Sequence, residues 1–485
     1  MDQNNKMQYL AAFAVALATM ATSTAAVWST PILPKFHNNE TGISLTSSEI
    51  SWMVAILSPG MIIGSIVASF VSDKFGRRVT LLISAGPYVV GTVFVLCATK
   101  AWVLHIGRFL WGVGSGMINT VTSVYLSEIA DKEIRGTLTA ITRFMFSFGA
   151  LLVLAIGSFV TYQMLSYFLI ALPVCYFLAC WRMPETPYYL LKEGKVDAAR
   201  KVLLSLSGKN NETMVEEKLS IMRTDVRREM LRSSSAKELL TGEQYRKAII
   251  IITGLRITQI FAGSIPIQQY LGRIIQQSNC GLQVSTALII FGAIRFAVGF
   301  SSTVIVDKVG RRPLLISSYL GSCVMLATTG TYFFLQRVVG IEDESSNPFR
   351  FVVFAALMCS IIISSIGFDT IILIISSEIF PLNVRSVAMT LFTIFTAFIT
   401  FIVVKGYQLM EDWTGLYGVF WFYASMAFSG AVFTYFVVPE TKGKSLREIQ
   451  IVLQGNIYYD DSDNNLKKDA TTDDVKEDSE LKELT

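Results

Sequence analysis

Long apolar runs recur along almost the whole chain, and they constrain its fold more than any other feature. About twelve stretches approach the roughly 20 residues needed to cross some 30 Å of hydrocarbon. They fall near 8–29, 50–72, 79–98, 101–126, 138–160, 164–183, 247–275, 283–306, 312–336, 349–378, 386–409 and 414–438. Open strands would leave backbone groups unsatisfied in lipid, so each run is expected to be a helix. The balance of the 485 residues agrees: 52% are hydrophobic and 16% charged, against about 25% charged in a soluble domain. The first run lacks a strongly basic flank and reads as a retained anchor rather than a cleaved signal.

Lys74, Arg77 and Arg78, then Lys132 and Arg135, Lys308, Arg311 and Arg312, and Arg385 all fall in alternate connections, as does the basic segment 192–247. The positive-inside rule puts those connections and both termini in the cytoplasm. On the other side, the loop over residues 30–49 carries Asn39 in an Asn-Glu-Thr glycosylation acceptor. The sequon at Asn211 is cytoplasmic on this reading and should stay bare. The six cysteines are scattered, mostly within apolar runs, so neither a metal site nor a disulfide framework is implied.

The charges also mark a repeat. "VSDKFGRRVTLLIS" at Val71–Ser84 returns as "VDKVGRRPLLIS" at Val306–Ser317, which places Asp73, Arg77 and Arg78 opposite Asp307, Arg311 and Arg312, 234 residues on. "SEIADKEIRG" and "SEIFPLNVRS" relate Glu128 to Glu378 and Arg135 to Arg385, each 250 apart. The two "PET" strings relate Glu185 to Glu440, 255 apart. In each half the markers follow the second, fourth and sixth runs. The chain is therefore expected to be an all-α membrane protein of two parallel six-helix bundles with a midplane site between them. Residues 1–191 form the first bundle, 192–246 a cytoplasmic linker of short amphipathic helices, 247–450 the second bundle, and 451–485 a polar, disordered tail.

Asp73 ends one helix and Arg77 and Arg78 begin the next, each at the macrodipole end that disfavours its sign. Partners on other helices are expected instead, with Gly76 and Gly310 allowing the tight reversal. The twelve residues Asp73, Arg77, Arg78, Glu128, Arg135, Glu185, Asp307, Arg311, Arg312, Glu378, Arg385 and Glu440 then read as a cytoplasmic charge gate that forms in one state and opens in another.

The strings "DKFGRR", "GRFLWGVGSG", "YLSEIADKEIRGTL", "MPETPYYLLKEGKVDAARK", "DKVGRR", "SEIFPLNVR" and "VPETKGKSLREI" together resemble the sugar porter branch of the major facilitator superfamily, over about residues 8–450. "WSTPILPKF" and "FIVVKGYQLM" look most like the insect facilitated trehalose transporters. The resemblance implies alternating-access transport of a sugar across the bilayer, with Asp73 and Asp307 each facing a helix start in the other half.

The centre departs from that family. Its Gln-Gln-x-Ser-Gly-x-Asn is similar here to "QIFAGSI", which keeps Gln259 but has Ile260 and Ile265 for the other two amides. A Gln of the fifth helix falls on Arg143, the Gly-Pro-x-Pro-Trp of the tenth reads "DTIIL" from Asp369, and an Asn-Trp pair falls on Thr396 and Ala397. Unmatched sugar hydroxyls cost about 1–3 kcal/mol each, so lost amides imply altered binding. Ionisable groups within a span suggest function or tight pairing. Arg143 and Asp369 are the expected couple, with Arg256 and Arg295 as competing partners. Tyr270 and Trp421 are candidates to stack on a sugar ring. His37 and His105 read as structural.

No Walker string is present, and no enzyme chemistry, cofactor, metal or nucleic-acid partner is implied. The expected function is facilitative transport of a neutral sugar, trehalose or a hexose, by a protein of the plasma membrane. Three alternatives stand beside it: proton-coupled symport, for which Asp369 supplies a carboxylate while Ser29 stands where symporters place an acid; a membrane sensor that does not transport; and carriage of a solute other than a sugar.

Overall fold

The computed structural model describes residues 6–38, 40–131, 134–207, 212–231, 239, 241–278, 281–339, 350–380, 382–440 and 442. Asn39, Cys280 and the tail 451–485 lie outside them.

The apolar runs are helices, several of them broken partway across. The first comprises α1 (Lys6–Val27) and α2 (Ser29–His37), and the second α3 (Ser47–Ala55) and α4 (Leu57–Phe75). Pro31 and Pro34 follow the first break. Pro59 follows the second and has no N–H to return to the preceding turn. Next come α5 (Arg77–Leu96), α6 (Ala101–Ile129), α7 (Arg135–Phe159) and α8 (Tyr162–Trp181), which complete six spans.

Three short helices follow: α9 (Pro187–Lys192), α10 (Val196–Ser207) and α11 (Glu212–Leu231). Their apolar residues Leu191, Ala199, Leu203, Val215 and Leu219 form a small core of their own.

The second set repeats the plan. A broken span of α12 (Glu243–Phe261) and α13 (Ser264–Ser278) leads to α14 (Val284–Val309) and α15 (Arg311–Phe334). A second broken span, α16 (Arg350–Ile366) with α17 (Phe368–Ile379), precedes α18 (Leu382–Val437), whose 56 residues reverse at Gly415 and count as two spans. The described helices thus fall on the twelve apolar runs, and nine of them are long and apolar enough by composition to cross a membrane.

Small residues set the tightest contact. Gly60 and Gly64 of α4 cross Gly112 and Gly116 of α6 so closely that a Cβ at Gly64 would stand 2.0 Å from the Val113 carbonyl oxygen, and one at Gly112 2.2 Å from that of Leu57. Backbone-on-backbone contact of this kind is how spans associate where lipid removes the hydrophobic drive.

The linker helices dock at the end of the molecule where α1 begins. Gln8 donates to the Leu206 carbonyl at 3.1 Å and to Asp131 at 2.8 Å, and Lys218 of α11 reaches Asp131 at 2.7 Å. We call this the linker end.

Candidate functional site

At the linker end the repeated charges close short circuits within each half. Gly76 turns at φ 97, and the N–H groups of Arg77 and Arg78 that open α5 donate to the Glu185 carboxylate at 2.9 and 3.1 Å. A carboxylate at a helix N-terminus meets both the free donors and the positive end of the dipole. Burial pushes the Glu185 carboxyl above the usual range, against the N–H bonds from Thr186, Arg78 and Arg77 that favour its charge. The Arg77 guanidinium, itself buried, continues to Glu128 at 3.0 Å.

The second half repeats the motif: Gly310 turns at φ 105, and Arg311 and Arg312 N–H donate to Glu440 at 3.1 and 3.0 Å. Arg312 also covers the Tyr435 ring at 5.6 Å. Helix-start capping by the "PET" glutamates was not legible as such; the paired offsets were the only signal of it.

One expectation fails here. Asp73 does not reach across to the other half; it lies exposed beside Lys192 at 3.2 Å and Arg77 at 3.7 Å. Its partners are the nearest cations of its own half, and among the described residues no hydrogen bond or ion pair joins the halves at this end. The side chains of Arg135, Asp307, Glu378 and Arg385 lie outside the described residues.

The two halves are joined at the opposite end. Thr30 of α2 donates to the Gln268 carbonyl of α13 at 2.9 Å, Ser51 of α3 to the Lys405 carbonyl of α18 at 3.1 Å, and Gln276 to Asn38 at 3.1 Å. The Lys405 ammonium sits 4.4 Å over the Trp52 ring. Behind these contacts Tyr270 is fully buried and stacks on Tyr407 with centroids 4.2 Å apart. Arg273 binds Gln408 at 2.7 Å and Glu411 at 3.3 Å.

Sequence reasoning missed Arg108, whose only signal was a lone cation in the apolar run of α6. It is wholly buried, lies 5.6 Å from the Trp28 ring and donates to the carbonyls of Ala25 and Met53, the latter at 3.1 Å. Those two acceptors end α1 and α3, so the negative ends of two interrupted helices face one guanidinium.

The centre of the second half holds the remaining polar group. Asp369, in the first turn of α17, accepts from Gln259 at 2.9 Å and from Ser264 at 3.4 Å. Arg256 Nη1 donates to Gln259 Oε1 at 3.1 Å, which makes a chain of Arg256, Gln259 and Asp369. Tyr319 stacks on Phe368 at 4.5 Å and shares a 3.0 Å hydrogen bond with Thr258. Arg295 stands within electrostatic reach of Asp369.

The expected Arg143–Asp369 pair is not formed. Arg143 is exposed on α7 and makes no ion pair among the described residues, while Gln259 and Ser264, brought in by the break between α12 and α13, take the carboxylate. Trp421 packs on Phe334 and Tyr417, at 5.3 and 5.6 Å, rather than on this group, and Tyr270 stacks on Tyr407 at the end where the halves are joined.

Twelve spans in two like halves, with a polar centre at broken helices, define a membrane transporter of the major facilitator fold. The profile of the sugar (and other) transporter family matches residues 5–453, and the chain belongs to that family. The facilitated trehalose transporter Tret1 of Bombyx mori is 30% identical over 447 residues, 92% of this chain and 86% of the relative. That of Apis mellifera ligustica is 29% identical over 462 residues, 95% and 91% of the two chains. Among solved structures, the partially occluded inward-open xylose transporter XylE from E. coli superposes with a TM-score of 0.72 at 20% identity, covering 91% of this chain and all of that one. The protein is a multi-pass sugar transporter of the membrane, not an enzyme.

Proposed function

We propose that the protein moves a neutral sugar, trehalose or a hexose, down its gradient across the plasma membrane by alternating access, with the linker end and both termini cytoplasmic. The observation that carries this reading is the asymmetry of the joins between halves. Described hydrogen bonds tie them together only at the end remote from the linker, whereas the described contacts of Arg77, Arg78 and Arg312 with Glu128, Glu185 and Glu440 stay within their own halves. Halves tied to each other at one end, with no hydrogen bond or ion pair between them among the described residues at the other, fit one of the two states that alternating access requires. In the other state the linker-end charges would exchange some of these partners for partners across the gap, and so act as the cytoplasmic gate. The trehalose assignment is supported by the Tret1 relatives, which are named for that sugar.

The test is uptake of labelled trehalose and glucose by the purified protein in liposomes, with and without an inward proton gradient, and with Arg78→Ala/Arg312→Ala as a gate-defective control. Saturable uptake indifferent to the gradient is expected. A second reading, proton symport, is favoured by one observation only, the Asp369 carboxylate inside a span, and would appear as uptake accelerated by the gradient. No uptake of either sugar by folded protein would defeat both.

A further inference from the structure

Among the described residues, the centre of the second half has more positive charge than its carboxylates neutralise. Arg256 and Arg295 lie within the spans α12 and α14, and a guanidinium does not lose its proton in a protein. Among the described residues Asp369 is the one carboxylate that both address. Neither arginine makes an ion pair with it within 4.0 Å, and its Oδ1 is already taken by Gln259 and Ser264. Arg256 spends Nη1 on Gln259, and its Nε is buried with no acceptor. Arg295 makes no hydrogen bond to any described residue, although it is half-buried within the span α14. A charge left uncompensated at such depth costs several kcal/mol. Sugar hydroxyls can accept from these donors but cannot cancel the charge.

We propose that Arg256 and Arg295 form an anion site beside Gln259 and Asp369. Its ligand is a small monovalent anion bound next to a neutral sugar, or a carboxylate or phosphate carried by the sugar itself. Gln259 bridges the two functions: its amide N–H₂ holds Asp369, its carbonyl holds Arg256, and it therefore keeps the carboxylate from collapsing onto the guanidinium and occupying the site. The assignment rests on the centre being where solute binds.

The experiment measures thermal unfolding of the full chain at constant ionic strength while isethionate is replaced by chloride, by glucuronate or by glucose 6-phosphate. Saturable stabilisation by at least one of them is expected. Arg295→Gln should weaken it by about tenfold to a hundredfold, the loss of a charge-assisted hydrogen bond, while Arg295→Lys retains part of it. If Arg256→Gln does not fold, the two Arg295 variants suffice. Uptake in liposomes then separates the sources. Neutral-sugar uptake that depends on chloride identifies a co-bound inorganic anion, and saturable uptake of glucuronate or glucose 6-phosphate identifies an anionic substrate. Unfolding indifferent to all three anions, or Arg295→Gln responding as the unsubstituted protein does, overturns the site. Anion-dependent stabilisation without uptake of any sugar would instead refute the transport reading and leave the site standing.

Discussion

Replacing Gly76 by Ala should be much more damaging than the same change at Gly310, although the two occupy the same place in the repeat. Both residues sit at positive φ, 97 and 105, with ψ of 166 and 160, a region nearly confined to glycine, so each alanine costs about 1–3 kcal/mol in backbone strain. The surroundings differ. At Gly76 the new Cβ would stand 2.4 Å from Glu185 Oε2 and 2.7 Å from its Cδ, so the carboxylate must leave the start of α5. Losing its charge-assisted bonds to the Arg77 and Arg78 N–H groups adds about 1.5–3 kcal/mol. At Gly310 the nearest atoms, Glu440 Oε2 and Lys442 Cδ, are 3.3 Å away and need shift only slightly. Equilibrium unfolding in mixed micelles should therefore rank the unsubstituted protein above Gly310→Ala and Gly310→Ala above Gly76→Ala. In a Glu185→Ala background most of the extra cost of Gly76→Ala should disappear, a coupling of about 1.5–3 kcal/mol, with only the 3.0 Å approach of the Cβ to Tyr189 Cε1 remaining. Equal losses at the two glycines, or a Gly76→Ala cost unchanged by Glu185→Ala, would refute the idea that Glu185 caps α5.

Two further outcomes follow from the ends of the molecule. Burial opposes the charge of Asp131, but hydrogen bonds from Lys218 and Gln8 outweigh it and hold its carboxyl below the usual range. Its contribution to linker docking is therefore present above the ordinary carboxylate range and is lost as pH falls through the depressed value, below about pH 4. A spin label at Ser220 of α11 should become mobile below that pH, and at pH 7 in Lys218→Met; a label that stays immobile in both cases would count against the latch. At the other end, Ser51→Cys with Lys405→Cys in a background free of other cysteines should form a disulfide that abolishes sugar uptake reversibly. Continued transport by the oxidised protein would mean that this end does not open during the cycle.

Much of the architecture was readable from residue order because two signals reinforced each other: apolar runs of spanning length and charged strings at matching places in each half. Where the reading stopped has physical causes. Asp369 stood out as a charge in a span, but its partner depends on which helices face each other, and the break at Ala262–Gly263 brings Ser264 to it beside Gln259 rather than Arg143. Asp73 was expected to bridge the halves, yet salt-bridge geometry within one half is available whatever the state of the gap. The join between the halves relies on the main-chain carbonyls of Gln268 and Lys405, and no side-chain motif announces a carbonyl acceptor. Arg108 hid inside a family string, since its role comes from two helix ends that only the fold places beside it.

That arginine has a mechanical consequence. Because one guanidinium binds carbonyls near the ends of both α1 and α3, α3 and the helix that leads into α2 share a single pin. One touches α13 and the other α18, so the two seams between the halves cannot be unzipped one at a time without pulling on the same side chain. In the proposed cycle, a solute leaving by that side would meet a door whose two leaves hang on Arg108.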